Sequence, residues 1–153
     1  MAFVRKILGF DTSIAGLLDP LQSLFALAAR WYVSWQFLQA GYLKVTSWDT
    51  TLYLFENEYH TPVLPPHVAA VAGSFGELFF PALLVVGFVS RIGAIGLSAV
   101  NVMAVISYSA VLLAAGSEAA LAQHILWGTL LLFLALYGPG NFSLDYMLKK
   151  NHR

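Results

Sequence analysis

Three ionisable side chains stand within long apolar stretches of this sequence: Arg30, Glu77 and His124. A charged or titratable group in hydrocarbon is costly, so it normally faces a protein interior or a water-filled cavity and has a partner there. Gln36, Lys44, Asn101, Tyr108 and Trp127 are further polar or amphipathic residues in the same stretches. A rise of about 1.5 Å per helical residue, counted from one end of each stretch, puts Arg30, Asn101 and Glu77 in one layer and Gln36, Ser107 and His124 in a second. The chemistry open to this set is hydrogen bonding and proton handling. An imidazole or guanidinium can donate to a ligand oxygen, and a carboxylate can take or release a proton. Arg30 and Glu77 are expected to pair across two helices, because neither can stay charged and alone in lipid. The plainer alternatives are an ion pair that only locks two helices, a satisfied core histidine, and a Lys44 that snorkels to the interface.

Spacing gives each polar residue a helical face. Arg30, Ser34, Phe37, Gly41 and Lys44 follow a 4-3-4-3 pattern, which is one stripe of a helix. Ser98, Asn101, Val105 and Tyr108 repeat it, and His124 precedes Trp127 and Gly128 by one turn. Pro81 lies four residues beyond Glu77, so it cannot donate to the Glu77 carbonyl, and a kink is expected there.

The elements that must carry these residues follow from composition. The chain has 153 residues, 59% hydrophobic and 10% charged, against roughly 45–50% and about 25% in soluble domains. Four stretches, 21–45, 66–89, 92–115 and 118–137, are close to the ~20 residues that cross a bilayer as a helix. The expectation is one all-α membrane domain over 1–153, a four-transmembrane-helix bundle; an open sheet would leave unpaired edges in lipid. Residues 1–20 mix Phe3, Val4, Ile7, Leu8, Ile14 and Leu17 with charges and suit a short helix on the membrane surface. Trp48, Leu52, Phe55 and Tyr59 recur at helical spacing and predict an interfacial helix in the outer loop. Arg5, Lys6, Arg91, Lys149, Lys150 and Arg153 fall on one side, whereas Asp49, Glu56, Glu58 and Glu118 fall on the other with Lys44. That asymmetry predicts both termini in the cytoplasm.

Several classes are excluded. Eight basic residues balance eight acidic ones, leaving no field to hold nucleic acid. Without cysteine the chain has no disulfide exchange, thiolate metal site or cysteine-held iron–sulfur cluster of its own. Haem is not expected, since His60 and His67 lie near the outer surface and His152 at the C-terminus, which gives His124 no partner at its depth. No structural metal is expected either.

In order and spacing, Ala29-Arg30, GYLK from Gly41, FENEYHTPVLPPHVAA from Phe55, GEL from Gly76 with Pro81, Gly87 to Arg91, Asn101 and GPGNFSLD from Gly138 resemble the DoxX family of small four-span bacterial membrane proteins. The resemblance covers about 24–148. It implies a membrane four-helix bundle in the bacterial cytoplasmic membrane and an association with redox systems, since relatives include a subunit of an archaeal thiosulfate:quinone oxidoreductase and a member of a mycobacterial membrane oxidoreductase complex. By position, Arg30, Gly41, Lys44, Glu77, Arg91, Asn101 and Asp145 match the family's polar set. The expected function is then a quinone-interacting subunit working with a redox partner protein. Quinone would be held by Arg30, Glu77, Asn101, His124, Gln36, Tyr108, Trp127 and Lys44. A non-catalytic anchor for a partner enzyme, a small-molecule or proton pathway, and pairing with a second copy are the alternatives.

Overall fold

The structure is a computed structural model that describes residues 1–151, so His152 and the Arg153 of the basic set lie outside the described residues. The elements are α1 (Ala2–Thr46), α2 (Trp48–Asn57), α3 (Pro66–Val86), α4 (Ser90–Ser107), α5 (Ser109–Leu112), α6 (Glu118–Tyr137) and α7 (Leu144–Asn151). Helices α1, α3, α4 and α6 are long and apolar enough to cross a membrane. They pack in chain order as a ring, α1 on α3, α3 on α4, α4 on α6 and α6 back on α1. The protein is an all-α membrane bundle.

Its outer face is that of a molecule dissolved in lipid. Trp31, Trp35, Phe75, Ile95, Leu132 and Leu136 are each more than half exposed, an arrangement that water would penalise and acyl chains do not. Inside, Val33, Phe37, Leu84, Leu97, Leu131 and Leu134 form a core, while Phe55, Ala69 and Ala70 form a second cluster at the other end.

Helix α1 differs from expectation. Residues 1–20 are not a separate surface helix: α1 runs unbroken through Pro20 for 45 residues, about 68 Å at 1.5 Å per residue, twice the hydrocarbon thickness. Pro20 removes only the bond to the Gly16 carbonyl. Every described side chain from 3 to 22 is exposed, so this half of the helix projects from the bundle.

The third span is also shorter than 92–115. Helix α4 stops at Ser107, whose carbonyl accepts the His60 N–H at 2.9 Å, while the Val111 N–H turns to Tyr108 instead. The docked segment between α2 and α3 thus ends the helix. Helix α2 exists as expected, and Trp48, Leu52, Phe55 and Tyr59 pack on the start of α3. Helix α3 continues through Pro81, which is buried.

Candidate functional site

Side chains on a helix lean toward its N-terminus, and this lean decides which residues meet. On α1, Arg30 reaches back to donate from Nη1 to the Leu84 carbonyl at 3.1 Å and from Nη2 to the Phe142 carbonyl. Lys44, further along the same stripe, reaches back to Glu77 and donates to both carboxylate oxygens at 2.7 and 2.9 Å. The expected Arg30–Glu77 pair therefore does not form. Leu84 is seven residues beyond Glu77 on α3, roughly 10 Å along the axis, and the charge acting on Arg30 is that of Asp145. Close approach makes the Lys44–Glu77 contact possible: a Cβ on Gly41 would lie 2.9 Å from Leu78 Cγ and 3.0 Å from Glu77 Cβ.

Arg30 belongs to a clasp at the core end. Gly87, with φ of 75°, ends α3 and leaves room where any Cβ would run into the guanidinium. Asp145 accepts the Val89 and Ser90 N–H groups at 2.8 and 2.9 Å, capping α4, and its own N–H donates to Gly87 O at 2.9 Å. Arg30, Asp145 and the 138–145 segment thus tie the C-terminal helix to the α3–α4 turn.

At the other end, under α2, the four spans enclose a cavity of about 450 Å³, within the range of small-ligand sites. Phe37, Ala40, Ala72, Phe80, Val100 and Met103 give it apolar walls, and Gly73, Gly96, Ala99 and Ala104 give it width. Of the residues singled out from sequence, Gln36, Lys44, Glu77, Tyr108, His124 and Trp127 all line it, with Ser107. Arg30 and Asn101 do not. Asn101 stands behind His124, donating from Nδ2 to the His124 carbonyl at 3.0 Å and meeting His124 Nδ1 with Oδ1 at 2.8 Å. Trp127 packs edge-on to both His124 and Phe37, with ring centres 4.9 and 5.4 Å apart, and its buried indole N–H has no partner among the described residues.

Sequence reasoning missed Tyr59 and Phe80 as cavity residues. Phe80 lies one turn beyond Glu77 on the same face of α3, a signal that was present; Tyr59 reaches the cavity only because α2 folds inward. Lys44 and Tyr59 also border a second recess of about 250 Å³ beside Ser47 and Thr51, so they stand between the cavity and α2. Burial first, then the charges of Tyr108, Glu77 and Glu58, hold the Tyr59 phenol above the ordinary tyrosine range. Among the described residues no group of three His, Cys, Asp or Glu could hold a metal ion.

The site's chemical capacity lies in what its internal bonds leave over. Two of the three Lys44 ammonium donors are spent on Glu77, leaving one. Gln36 has no hydrogen-bond partner among the described residues, and one nitrogen of His124 is open. Residues 25–110 match the family model described as DoxX. No curated protein and no solved structure matches the chain.

Proposed function

The chain belongs to the DoxX family, and from that premise we propose that it is a quinone-interacting subunit of a membrane redox system. The observation that carries the reading is the cavity: a largely apolar space lined by the Lys44–Glu77 pair and by His124 and Gln36. A quinone is a ring with oxygens at opposite ends and an apolar tail, and the residues present fit both parts. The tail suits Phe37, Phe80, Val100 and Met103, while the ring oxygens suit the spare Lys44 donor and the Gln36 amide, and the open His124 nitrogen is placed to meet a ring substituent. When bound, the quinone would supply the redox chemistry. The protein's own part is to bind and orient the ring, exclude water, and hold a proton at Glu77 or His124. Electrons would come from or go to a partner protein, because the chain has no cysteine and no resident redox group is implied.

The experiment is extraction of the purified membrane-embedded protein for bound quinone in either redox form, with thermal-shift series on added short-tail quinone and on its hydroquinone. Bound quinone and a saturable shift are expected. Absence of both refutes the reading, and a Glu77→Gln chain that keeps its cellular function at equal abundance leaves only an anchoring role. We also place both termini in the cytoplasm of a bacterial inner membrane, on the strength of Arg5, Lys6, Arg91, Lys149 and Lys150; a tag between Thr50 and Thr61 should then report the outer side.

A further inference from the structure

We infer that the cavity selects the hydroxyl-bearing, reduced form of its ligand, because the Asn101–His124 clamp presents the imidazole to the cavity as a hydrogen-bond acceptor. The inference rests on the quinone reading and adds to it which form is held. Its basis is the orientation of one amide. Only the NH₂ of Asn101 can donate to the His124 carbonyl, and that bond is 3.0 Å long. The atom 2.8 Å from His124 Nδ1 is therefore the amide oxygen, which accepts and cannot donate. Nδ1 must carry the hydrogen. In the neutral ring Nε2 is then a lone pair, and it has no partner among the described residues.

The amide cannot easily turn to release this tautomer. It is held at both ends between α4 and α6, and the position one turn beyond His124 is Gly128, where a Cβ would lie 3.3 Å from Asn101 Nδ2. No carboxylate pairs with the imidazole among the described residues.

A ligand group that meets Nε2 must donate. A hydroquinone or phenol O–H does so; a quinone carbonyl has only lone pairs, and acceptor would face acceptor in an apolar cavity, where an unmade hydrogen bond is most costly. The opposite requirement holds on the Lys44 wall, whose spare ammonium N–H asks for an acceptor oxygen. The fitting ligand thus has an O–H at one end of the ring and an oxygen acceptor at the other. From sequence, donation by an imidazole to a ligand oxygen is one of the roles open to His124; the clamp gives it the opposite one.

The test measures binding to the full chain in lipid nanodiscs by calorimetry, with two probe pairs. The first is a short-tail benzohydroquinone under reducing conditions against its benzoquinone. The second is a 4-alkylphenol against its methyl ether, which differ only in the donor. The hydroxyl member of each pair should bind about tenfold tighter in the wild-type chain, and the ratio should fall toward one in His124→Phe and in Asn101→Leu. The ratio, rather than the affinity, is read, so partial loss of folded protein does not mimic the effect. Equal or reversed preference in the wild-type chain overturns the inference, as does a preference that survives in Asn101→Leu. Phenol preference without binding of either quinone form would uphold the donor requirement and refute the quinone reading instead.

Discussion

Removing one member of the Lys44–Glu77 pair should cost far more than removing both, and the two single losses should differ. The ammonium meets both carboxylate oxygens at 2.7 and 2.9 Å, with the side chains 20% and 9% exposed. Stranding one charge of such a pair typically costs about 3–5 kcal/mol, whereas an apolar pair of similar volume is often close to neutral. Lys44 lies two residues from the end of α1 and has a long stem, so without Glu77 it can swing to the interface. Glu77 lies eleven residues inside α3, about 16 Å from its start, and has no such escape. Lys44→Met should therefore approach the upper figure, about 5 kcal/mol, and Glu77→Leu the lower, about 3, with Lys44→Met/Glu77→Leu within about 1 kcal/mol of wild type. At about 2–4 °C per kcal/mol for a chain of this size, the Lys44→Met midpoint falls by at least about 10 °C in a thermal melt in one detergent. A double variant that merely sums the two losses would show no coupling, and a Glu77→Leu loss exceeding that of Lys44→Met would refute the escape argument.

Gly41→Ala should destabilise by about 1–3 kcal/mol as an overpacking change, because its Cβ falls on Leu78 and Glu77; a melt at or above the wild-type midpoint would contradict the close α1–α3 approach. Asp145→Ala removes the carboxylate that caps α4 and should cost about 0.5–2 kcal/mol. Val89→Gly in that background should recover about 1 kcal/mol, since Val89 stands at φ 42° in the left-handed region; no recovery would deny that strain. The raised Tyr59 proton affinity predicts that its contribution to stability is present below the ordinary tyrosine range and is lost as pH climbs from there through the folded value. An alkaline absorbance titration in which Tyr59→Phe deletes a transition at ordinary tyrosine pH would contradict it.

Much of the bundle was legible because period and length are strong signals. The Arg30, Ser34, Phe37, Gly41, Lys44 stripe is interior along its length, with Arg30 and Ser34 wholly buried, and Gln36, Ser107 and His124 share one cavity as their counted height implied. The pairing of charges was not legible from height. Counting from the expected span ends puts Arg30 level with Glu77, but the Gly41–Glu77 approach places Glu77 roughly 16 Å further along α1 than Arg30, and Lys44, leaning back toward the N-terminus, takes the carboxylate. Two contacts also depend on chain returning from afar. Phe142 and Asp145 reach Arg30 and the α4 cap from more than fifty residues away, and α2 folds inward to bring Tyr59 over the cavity. No local pattern announces either.

The same residue types serve opposite purposes at the two ends, and the difference lies in how their hydrogen-bond capacity is used. Arg30 is fully buried and its terminal nitrogens are aimed at backbone carbonyls; both Asp145 carboxylate oxygens accept backbone N–H groups. These groups are turned inward on the chain and lock helices; Arg30 Nε has no partner among the described residues, but Arg30 is wholly buried and does not line the cavity, so that donor is out of a ligand's reach. Around the cavity two polar groups are held by one partner and keep unmet capacity: Lys44 keeps a donor after Glu77, and His124 keeps Nε2 after Asn101. A group fixed in place yet incompletely satisfied is what a binding site requires. Lys44 and His124 meet that condition on the cavity wall, which Arg30 does not reach, although Arg30 and His124 stood out from the sequence for the same reason.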